Sequence, residues 1–147
     1  MVQIVGEPDK YSIYASENLG ISGHHPDGSF PRLRRFTIRK DGFVSVRAEG
    51  APGELVTKPL IFDGEQLTVN CNARLNGGGY VKMELLDGNR QPLPGFTAED
   101  CDPLAGDEID APVTWNRGSD VSSLAGKEIH LRFVLNNAEL FSFKFID

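Results

Sequence analysis

Hydrophobic and polar residues alternate with a period of two along much of the chain. The segments YVKMELLD, EIHLRFVL and ELFSFKFI place an apolar residue at nearly every second position. This alternation is typical of antiparallel strands that bury one face. Sixteen glycines and nine prolines interrupt the pattern along the whole length, and no long segment carries a helical stripe. The pattern therefore predicts an all-β fold of about eight to ten short strands, an antiparallel β-sandwich of jelly-roll type.

The last two of these segments predict a hairpin at the centre of the core. A loop with an odd number of residues around Asn136 and Asn137 pairs Phe133 with Phe141 and puts the apolar residues of both strands on one face. An even-numbered loop would set apolar residues opposite polar ones. Because burial of one face fixes strand register, we expect the odd-numbered loop. His130 then lies on the outer, solvated face.

A second hairpin is predicted over residues 33–48, LRRFTIRKDGFVSVRA. A three-residue loop at 40–42 pairs Ile38 with Val44 and places the apolar residues of both strands on one face. Such a loop requires a left-handed residue for its bulge, and Gly42 stands at that position. We therefore expect the two halves of this segment to be paired strands.

The composition describes one globular domain without attraction to nucleic acids or membranes. A chain of 147 residues can bury a core without disulfide or metal staples. The net charge of −6 argues against binding to phosphate backbones, which requires many positive charges. No apolar run approaches the roughly 18 residues that span a bilayer, and the first residues lack the pattern of a signal peptide. We therefore expect neither nucleic acid nor a membrane as a partner.

The two cysteines, Cys71 and Cys101, lack the spacing of a zinc site. Cys71 stands in a strand-like segment, and Cys101 stands in a loop-like segment. We expect two separate thiols, with a disulfide between them as the alternative. The redox compartment of the protein therefore stays open at this point.

Three motifs are specific in combination: RKDGFVSV, GFTAEDCDPLAGD and AGKEIHLRFVLNNAELFSF. Together with the surrounding sequence, about Arg32 to Phe145, they resemble the C-terminal β-sandwich of bacterial glycoside hydrolase family 32/43-like proteins, in which a five-bladed propeller precedes the sandwich. The resemblance implies a β-sandwich accessory domain over residues 32–147, with an N-terminal strand and loop over residues 1–31 leading into it. This sequence does not contain the propeller that would carry catalytic carboxylates, so the family's activity is not transferred.

The resemblance implies a non-catalytic accessory module of a carbohydrate-active enzyme that binds polysaccharide. The parent protein would be a glycoside hydrolase, and we expect a secreted or periplasmic location if the chain is part of a larger glycan-degrading protein. One alternative is a structural domain that packs against an upstream catalytic propeller and has no ligand of its own. A second alternative is a stand-alone enzyme that acts on glycans through two carboxylates in one cleft.

Familiar catalytic motifs are absent from the sequence. It contains no GxSxG, no HExxH and no phosphate-binding loop. The adjacent His24 and His25 stand in SGHHPDGS, whose composition is that of an exposed loop. We therefore name no catalytic residue in this chain.

Sugar binding by a β-sandwich requires an aromatic platform with planar polar groups beside it. Trp115 is the only tryptophan of the chain, and Arg117 follows two positions later. Tyr14 and Tyr80 are further candidate platforms. A lone tryptophan in a β-sandwich is also typical of the core, so burial of Trp115 is the alternative. The candidate ligand-binding residues of this set are Trp115, Arg117 and Tyr80.

Arginines supply a second candidate binding surface. The hairpin over residues 33–48 would carry Arg35 opposite Arg47 on its outer face, with Arg39 beside the turn. Opposed arginines repel unless an anion lies between them. Guanidinium groups match the geometry of sulfates and carboxylates, so these three residues are candidate ligands of an anionic polysaccharide. Contact with the upstream catalytic domain, or with a carboxylate of this chain, is the alternative.

The loop AEDCDPLAGDEID concentrates carboxylates. Oxygen-rich loops of this kind hold Ca²⁺, which takes about six to eight oxygen ligands. We therefore name Glu99, Asp100, Asp102 and Asp107 as candidate ligands of a structural calcium ion. The spacing does not fit an EF-hand, and a solvated acidic loop is the alternative.

Overall fold

The computed structural model shows an all-β protein that consists of two compact units, Met1–Phe43 and Val44–Asp147. The one helical element of the described chain is a 3₁₀ turn at Ser122–Leu124. All strand pairs among the described residues are antiparallel. The structure describes residues 2–4, 6–18, 31–74 and 77–147.

The first unit is a three-stranded sheet. Its strands are β1 (Val2–Ile4), β2 (Glu7–Glu17) and β3 (Arg32–Arg39), in the order β1-β2-β3. β2 and β3 pair along the whole of β3, from Lys10 opposite Arg39 to Glu17 opposite Arg32. The division expected from the sequence falls between residues 31 and 32, whereas the structure groups β3 with β1 and β2.

The hairpin predicted over residues 33–48 is wrong. Ile38 lies opposite Tyr11 of β2, and residues 46–48 beyond the turn pair with residues 138–140 of another sheet. In the turn after β3, Asp41 takes the left-handed conformation with a φ of 53°, a role that the sequence suggested for Gly42. Aspartate tolerates this conformation better than most residues because its short side chain hydrogen-bonds locally.

The second unit is a β-sandwich. Its strands are β4 (Val46–Ala48), β5 (Gly53–Val56), β6 (Gln66–Ala73), β7 (Tyr80–Asp87), β8 (Gly106–Pro112), β9 (Ile129–Asn136) and β10 (Ala138–Ile146). One sheet has the order β4-β10-β6-β8, and the other has the order β5-β9-β7. The fold is therefore the antiparallel sandwich that the alternating sequence predicts.

Every two consecutive strands of the sandwich lie in different sheets. The hairpin predicted from the last two segments is therefore wrong, since β9 pairs with β5 and β7 while β10 pairs with β4 and β6. Phe133 of β9 instead meets Phe143 of β10 from the opposite sheet, with ring centroids 5.4 Å apart. The jelly-roll type stays a prediction, because the two sheets together have seven strands and a complete jelly roll has about eight.

The core follows the predicted alternation. Ile129, Leu131, Phe133 and Leu135 of β9 are each at most 1% exposed. Trp115, which follows β8, is buried in the same cluster. Burial of a large apolar side chain stabilises a fold by about 1.5–3 kcal/mol relative to exposure, so this cluster dominates the stability of the sandwich.

Candidate functional site

The strand pair β2–β3 gathers positive charge on one face of the three-stranded sheet. Its register places Tyr14 opposite Arg35 and Lys10 opposite Arg39. Side chains alternate between the two faces of a strand, so all four lie on the same face. Residues 10–17 and 32–39 contribute no carboxylate to that face, whereas Glu7, at the start of β2, pairs with Lys10. We call these four residues the cationic face.

The cationic face is open to solvent at Tyr14, whose side chain is 56% exposed. Arg35 is also exposed, whereas Arg39 is half-buried. Arg39 lies about 13 Å from Arg35 along the strand, given a rise of roughly 3.3 Å per residue. Lys10 is 3.7 Å from Glu7, a distance typical of a weak surface ion pair. The cationic face thus combines one flat aromatic ring with positive charge at two separated points.

The opposite face of the same strands combines apolar residues with a small cluster of ion pairs. Glu17 binds both Arg32 and Arg34, with nitrogen–oxygen distances of 2.9 Å. The guanidinium of Arg34 also lies 5.9 Å from the ring centroid of Phe36, within range of a cation–π contact. Two arginines of this strand are therefore paired inside the sheet. Arg35, in contrast, has no carboxylate partner among the described residues.

Arg47 does not belong to the cationic face. It lies on β4 opposite Glu139, and its guanidinium is 2.5 Å from the carboxylate of Glu49. The predicted opposition of Arg35 and Arg47 is wrong, because β3 pairs with β2 rather than with the segment that contains Arg47. Arg35 and Arg39 share the cationic face, about 13 Å apart along β3.

Trp115 lies in the core with 2% of its surface exposed. Its indole Nε1 donates a hydrogen bond to the backbone oxygen of Met83 at 3.2 Å. Its ring meets Phe96 edge to face, with centroids 5.3 Å apart. A ring buried in this way offers no platform to a sugar, so the structure places Trp115 as a core residue.

Arg117 packs on the same aromatic pair from the outside. Its guanidinium lies 5.8 Å from the ring centroid of Phe96, and its Nη1 donates to the backbone oxygen of Pro94 at 3.4 Å. The structure thus brings Arg117 close to Trp115 through Phe96, in an arrangement that covers the edge of the core. Tyr80 opens β7 and is half-buried.

Asp100 stabilises a turn of the acidic loop. Its carboxylate accepts hydrogen bonds from the hydroxyl of Thr97 at 2.9 Å and from the side-chain amide of Asn116 at 3.1 Å. These bonds, first that from Thr97 and then that from Asn116, lower the pKa of Asp100. Asp102 accepts a hydrogen bond from the hydroxyl of Thr114 at 2.7 Å. Both carboxylates therefore tie the loop to the same neighbouring segment.

The geometry of the acidic loop gives no support to a calcium ion. Glu99 is exposed, and Asp107 lies on β8 opposite Asn72. The described part of the chain includes all four candidate ligands, and it contains no group of three or more histidine, cysteine or acidic side chains placed to hold a metal ion. The loop carboxylates that bind Thr97 and Thr114 are acceptors within the protein.

His130 is buried, and the prediction of a solvated position is wrong. It is 4% exposed, and its Nδ1 lies 2.9 Å from the backbone oxygen of Thr57. A carbonyl oxygen can only accept, so this contact assigns the proton to Nδ1. The neighbouring histidines His24 and His25 lie outside the described residues.

A buried carboxylate was not predicted from the sequence. Glu84 of β7 is 3% exposed, and its Oε2 is 2.6 Å from Nη1 of Arg132, which also binds Glu54 at 2.6 Å. The register of β7 against β9, with Glu84 opposite Arg132, is the signal that identifies this pair. Both carboxylates bind the arginine between them, which differs from the two carboxylates that flank an open cleft in glycoside hydrolysis.

An apolar groove of about 330 Å³ opens on the sandwich. Only two polar side chains, those of Ser45 and Ser142, contribute to its lining. Sugar hydroxyls require several convergent polar partners, so this groove does not suit a polysaccharide. Its apolar lining includes Val44, Val46, Leu55, Leu140 and Phe143.

Comparison of the chain with models of protein families, with curated proteins and with solved structures finds no match. In the described part of the chain, no helix is long and apolar enough to cross a bilayer. The resemblance to the sandwich of glycoside hydrolase family 32/43-like proteins therefore stays a prediction. A function for the chain must be inferred from the geometry of the cationic face.

Proposed function

We propose that this protein is a non-catalytic accessory module of a carbohydrate-active enzyme, and that it binds an anionic polysaccharide through the cationic face. One observation carries the proposal. Tyr14, 56% exposed, lies directly opposite the exposed Arg35, and residues 10–17 and 32–39 contribute no carboxylate to their face. An exposed aromatic ring beside a guanidinium suits the recognition of a charged sugar.

The chemistry of these two side chains is complementary to a uronic acid or a sulfated sugar. The exposed ring of Tyr14 offers an apolar surface to the C–H face of a pyranose. The guanidinium of Arg35 presents two parallel N–H donors to a carboxylate or sulfate, and such charge-assisted bonds are about twice as strong as neutral ones. Stacking and the charged bond act on the same sugar unit, because Tyr14 and Arg35 are cross-strand neighbours.

The shape of the surface favours a polymer over a small sugar. A flat sheet face encloses little of a single sugar, whereas small-molecule sites are concave. Lys10 and Arg39 lie about 13 Å further along the strands, where they would meet a second negative charge of an extended chain. Two weak contacts on one polymer combine through effective concentration, so a modest site can retain a long ligand.

The experiment is affinity electrophoresis of the whole chain through gels that contain a sulfated polysaccharide, a polyuronate or a neutral glucan. We expect the two anionic polymers to retard the protein. The retardation should decrease as the salt concentration rises, because salt screens exposed charges. Tyr14→Ala should weaken retention about three- to tenfold and Arg35→Ala about two- to fivefold. Arg47→Ala removes the same charge from the sandwich and should leave retention unchanged.

Two outcomes would argue against this assignment. Equal retention of the Arg35→Ala and Arg47→Ala variants would show that the cationic face is not the binding surface. Retardation by the neutral glucan alone would remove the role of charge. The same gels are run with and without EDTA. Loss of retention with EDTA would implicate the acidic loop in binding.

A second candidate function is packing against an upstream catalytic domain, with no ligand. Exposed apolar residues favour it, since Ile13 is 36% and Phe36 is 42% exposed on the face of the small sheet that lies opposite the cationic face. Exposed apolar neighbours of this kind often mark protein contacts. Failure of every polymer to retard the protein would make this candidate the better one.

A further inference from the structure

β3 is the outermost strand of its sheet, which has the order β1-β2-β3. Its backbone pairs with β2 along one side over all eight of its residues. No strand of the described chain is hydrogen-bonded to its other edge. An unpaired strand edge of this length is a template for pairing with another extended chain.

Charge makes this edge selective. Arginine occupies four of the eight positions of β3. Pairing of two copies of the edge would bring two sets of arginines along one seam, which costs free energy. Glu17 pairs with both Arg32 and Arg34 and leaves one net positive charge there, and Arg35 has no carboxylate partner among the described residues. The edge therefore disfavours a second copy of itself and favours a chain that brings carboxylates.

From this geometry we infer that the open edge of β3 docks an extended, acidic segment of a partner protein, which adds to the sheet as a fourth strand. Acidic residues of that segment lie opposite Arg35 and Arg39 and extend the cationic face. Apolar residues lie opposite Phe36 and Ile38 and extend the apolar face. The segment thus reads acidic, apolar, polar, apolar, acidic. Main-chain hydrogen bonds supply most of its affinity, and the side chains supply specificity.

This docking mode goes beyond the proposed function, because it uses the backbone edge of β3 and not the aromatic ring of the cationic face. Tyr14 stands on β2, one strand away from the edge. An added strand beside β3 therefore need not touch Tyr14, whereas a sugar stacked on the cationic face must. Tyr14→Ala separates the two: it should weaken polysaccharide retention about three- to tenfold and change peptide affinity by no more than about twofold.

The test measures binding of a fluorescent peptide with the core Glu-Val-Thr-Val-Glu to the whole chain by anisotropy. A peptide with the core Lys-Val-Thr-Val-Lys is the charge control and should bind at least about tenfold more weakly. In the Arg35→Glu variant this preference should shrink or reverse, because one cross-strand charge pair changes sign. Amide hydrogen exchange should show that the acidic peptide protects β3 and leaves the sandwich unchanged.

Two N-methylated versions of the acidic peptide distinguish strand addition from simple charge attraction. N-methylation at alternate residues blocks the N–H groups on one edge of the peptide only, since successive N–H groups of a strand point to opposite sides. One version should lose binding and the other should retain it. Equal binding of both versions, or binding without protection of β3, would overturn the inference in favour of charge attraction alone.

The same measurements also test the alternative occupants of the edge, a second copy of the chain and a polysaccharide. If the chain sediments as a dimer whose β3 amides are already protected, and the peptide does not dissociate it, a second copy occupies the edge and the inference is wrong. If only a polyuronate or a sulfated polymer protects β3, the edge belongs to the polysaccharide site. The proposed function then stands, and strand addition does not.

Discussion

Glu84 and Arg132 lie opposite each other on β7 and β9, with their charged groups 2.6 Å apart. The carboxylate is almost fully buried, and the backbone N–H of Ala98 donates a further hydrogen bond to it at 3.4 Å. Arg132 reaches in the other direction to Glu54 of β5. One guanidinium thus joins all three strands of the β5-β9-β7 sheet, and it supplies the positive charge that a buried carboxylate requires.

Removal of Arg132 should therefore destabilise the sandwich more than removal of its exposed partner. In Arg132→Met, the carboxylate of Glu84 stays buried without a counter-charge, and we expect the free energy of unfolding in urea to fall by about 3 kcal/mol. Glu54→Gln is the matched control, because it removes a carboxylate whose partner remains bound to Glu84. The network would have no structural role if both variants unfolded at the same urea concentration as the parent chain.

The single tryptophan allows a direct test of its position in the core. Because Trp115 is 2% exposed and bonded to Met83, its fluorescence should be blue-shifted in the folded protein and shielded from acrylamide. Addition of a polysaccharide that retards the protein should leave this emission unchanged. A change of Trp115 emission that accompanies polymer binding, and that persists in Tyr14→Ala, would place the sugar near Trp115 and away from the cationic face.

Trp115→Phe tests the energetic side of the same position. The variant leaves the Met83 carbonyl without its indole donor and opens space in the core, so the free energy of unfolding should fall by about 2 kcal/mol. Arg117→Ala is the control, since it removes only the outer cover of Phe96 and should cost about 1 kcal/mol or less. Equal losses in the two variants would mean that the buried indole contributes little.

The alternation of apolar residues was sufficient to predict the buried face of β9, but not that of β10, where an irregularity between Leu140 and Ser142 buries Leu140 and leaves the predicted core residue Phe141 half-buried. On β9, the residues from Ile129 to Leu135 that alternation points inward are those that the structure buries. Strand partners could not be predicted in the same way. Local pattern favours pairing of neighbours in sequence, but each connection in this sandwich leads to the other sheet. Phe133 and Phe143 therefore pack against each other between the two sheets, a contact that the register of a hairpin does not predict.

An alternation with a period of two also could not predict which polar residues are buried. His130 and Glu84 occupy outward positions of their strands, yet each is less than 5% exposed. Their burial depends on partners distant in sequence, the carbonyl of Thr57 and the guanidinium of Arg132. A side chain on the outer face of a strand is exposed to solvent only where nothing covers that face. Part of the cationic face was predictable, because Arg35 and Arg39 are an even number of residues apart and so lie on the same face of one strand. The position of Tyr14 on this face could be known only from the pairing of β2 with β3.

The two cysteines should behave as protected thiols. Cys71 and Cys101 are both buried and do not form a disulfide, and burial raises the pKa of the Cys101 thiol. A colorimetric disulfide reagent at neutral pH should therefore react slowly with the native protein and modify two thiols once urea unfolds it. Rapid reaction of the native chain would contradict the buried positions. Absence of two reactive thiols after unfolding would instead indicate a disulfide, the alternative that the sequence left open.

The hydrogen bonds of Asp100 predict how stability depends on pH. The hydroxyl of Thr97, and then the amide of Asn116, hold the pKa of Asp100 below its usual range in the folded chain. Because the folded pKa is lower than the unfolded one, the contribution to stability is present above the unfolded value, near pH 3.8, and is lost as the pH falls through the folded value. Asp100→Asn should therefore lower the thermal midpoint at pH 6 and bring the two proteins closer together in more acidic solution.

Glu99→Gln is the matched control, because it removes one carboxylate from the neighbouring, exposed position of the same loop. Its thermal midpoint should track that of the parent chain across the whole pH series. Calcium provides the second comparison: a site that binds Ca²⁺ only in the folded state would raise the midpoint with ion concentration. Since the described carboxylates do not form a group that could hold a metal, we expect equal midpoints in Ca²⁺ and in EDTA. A calcium-dependent rise that Asp100→Asn abolishes would show that the loop carboxylates rearrange around the ion.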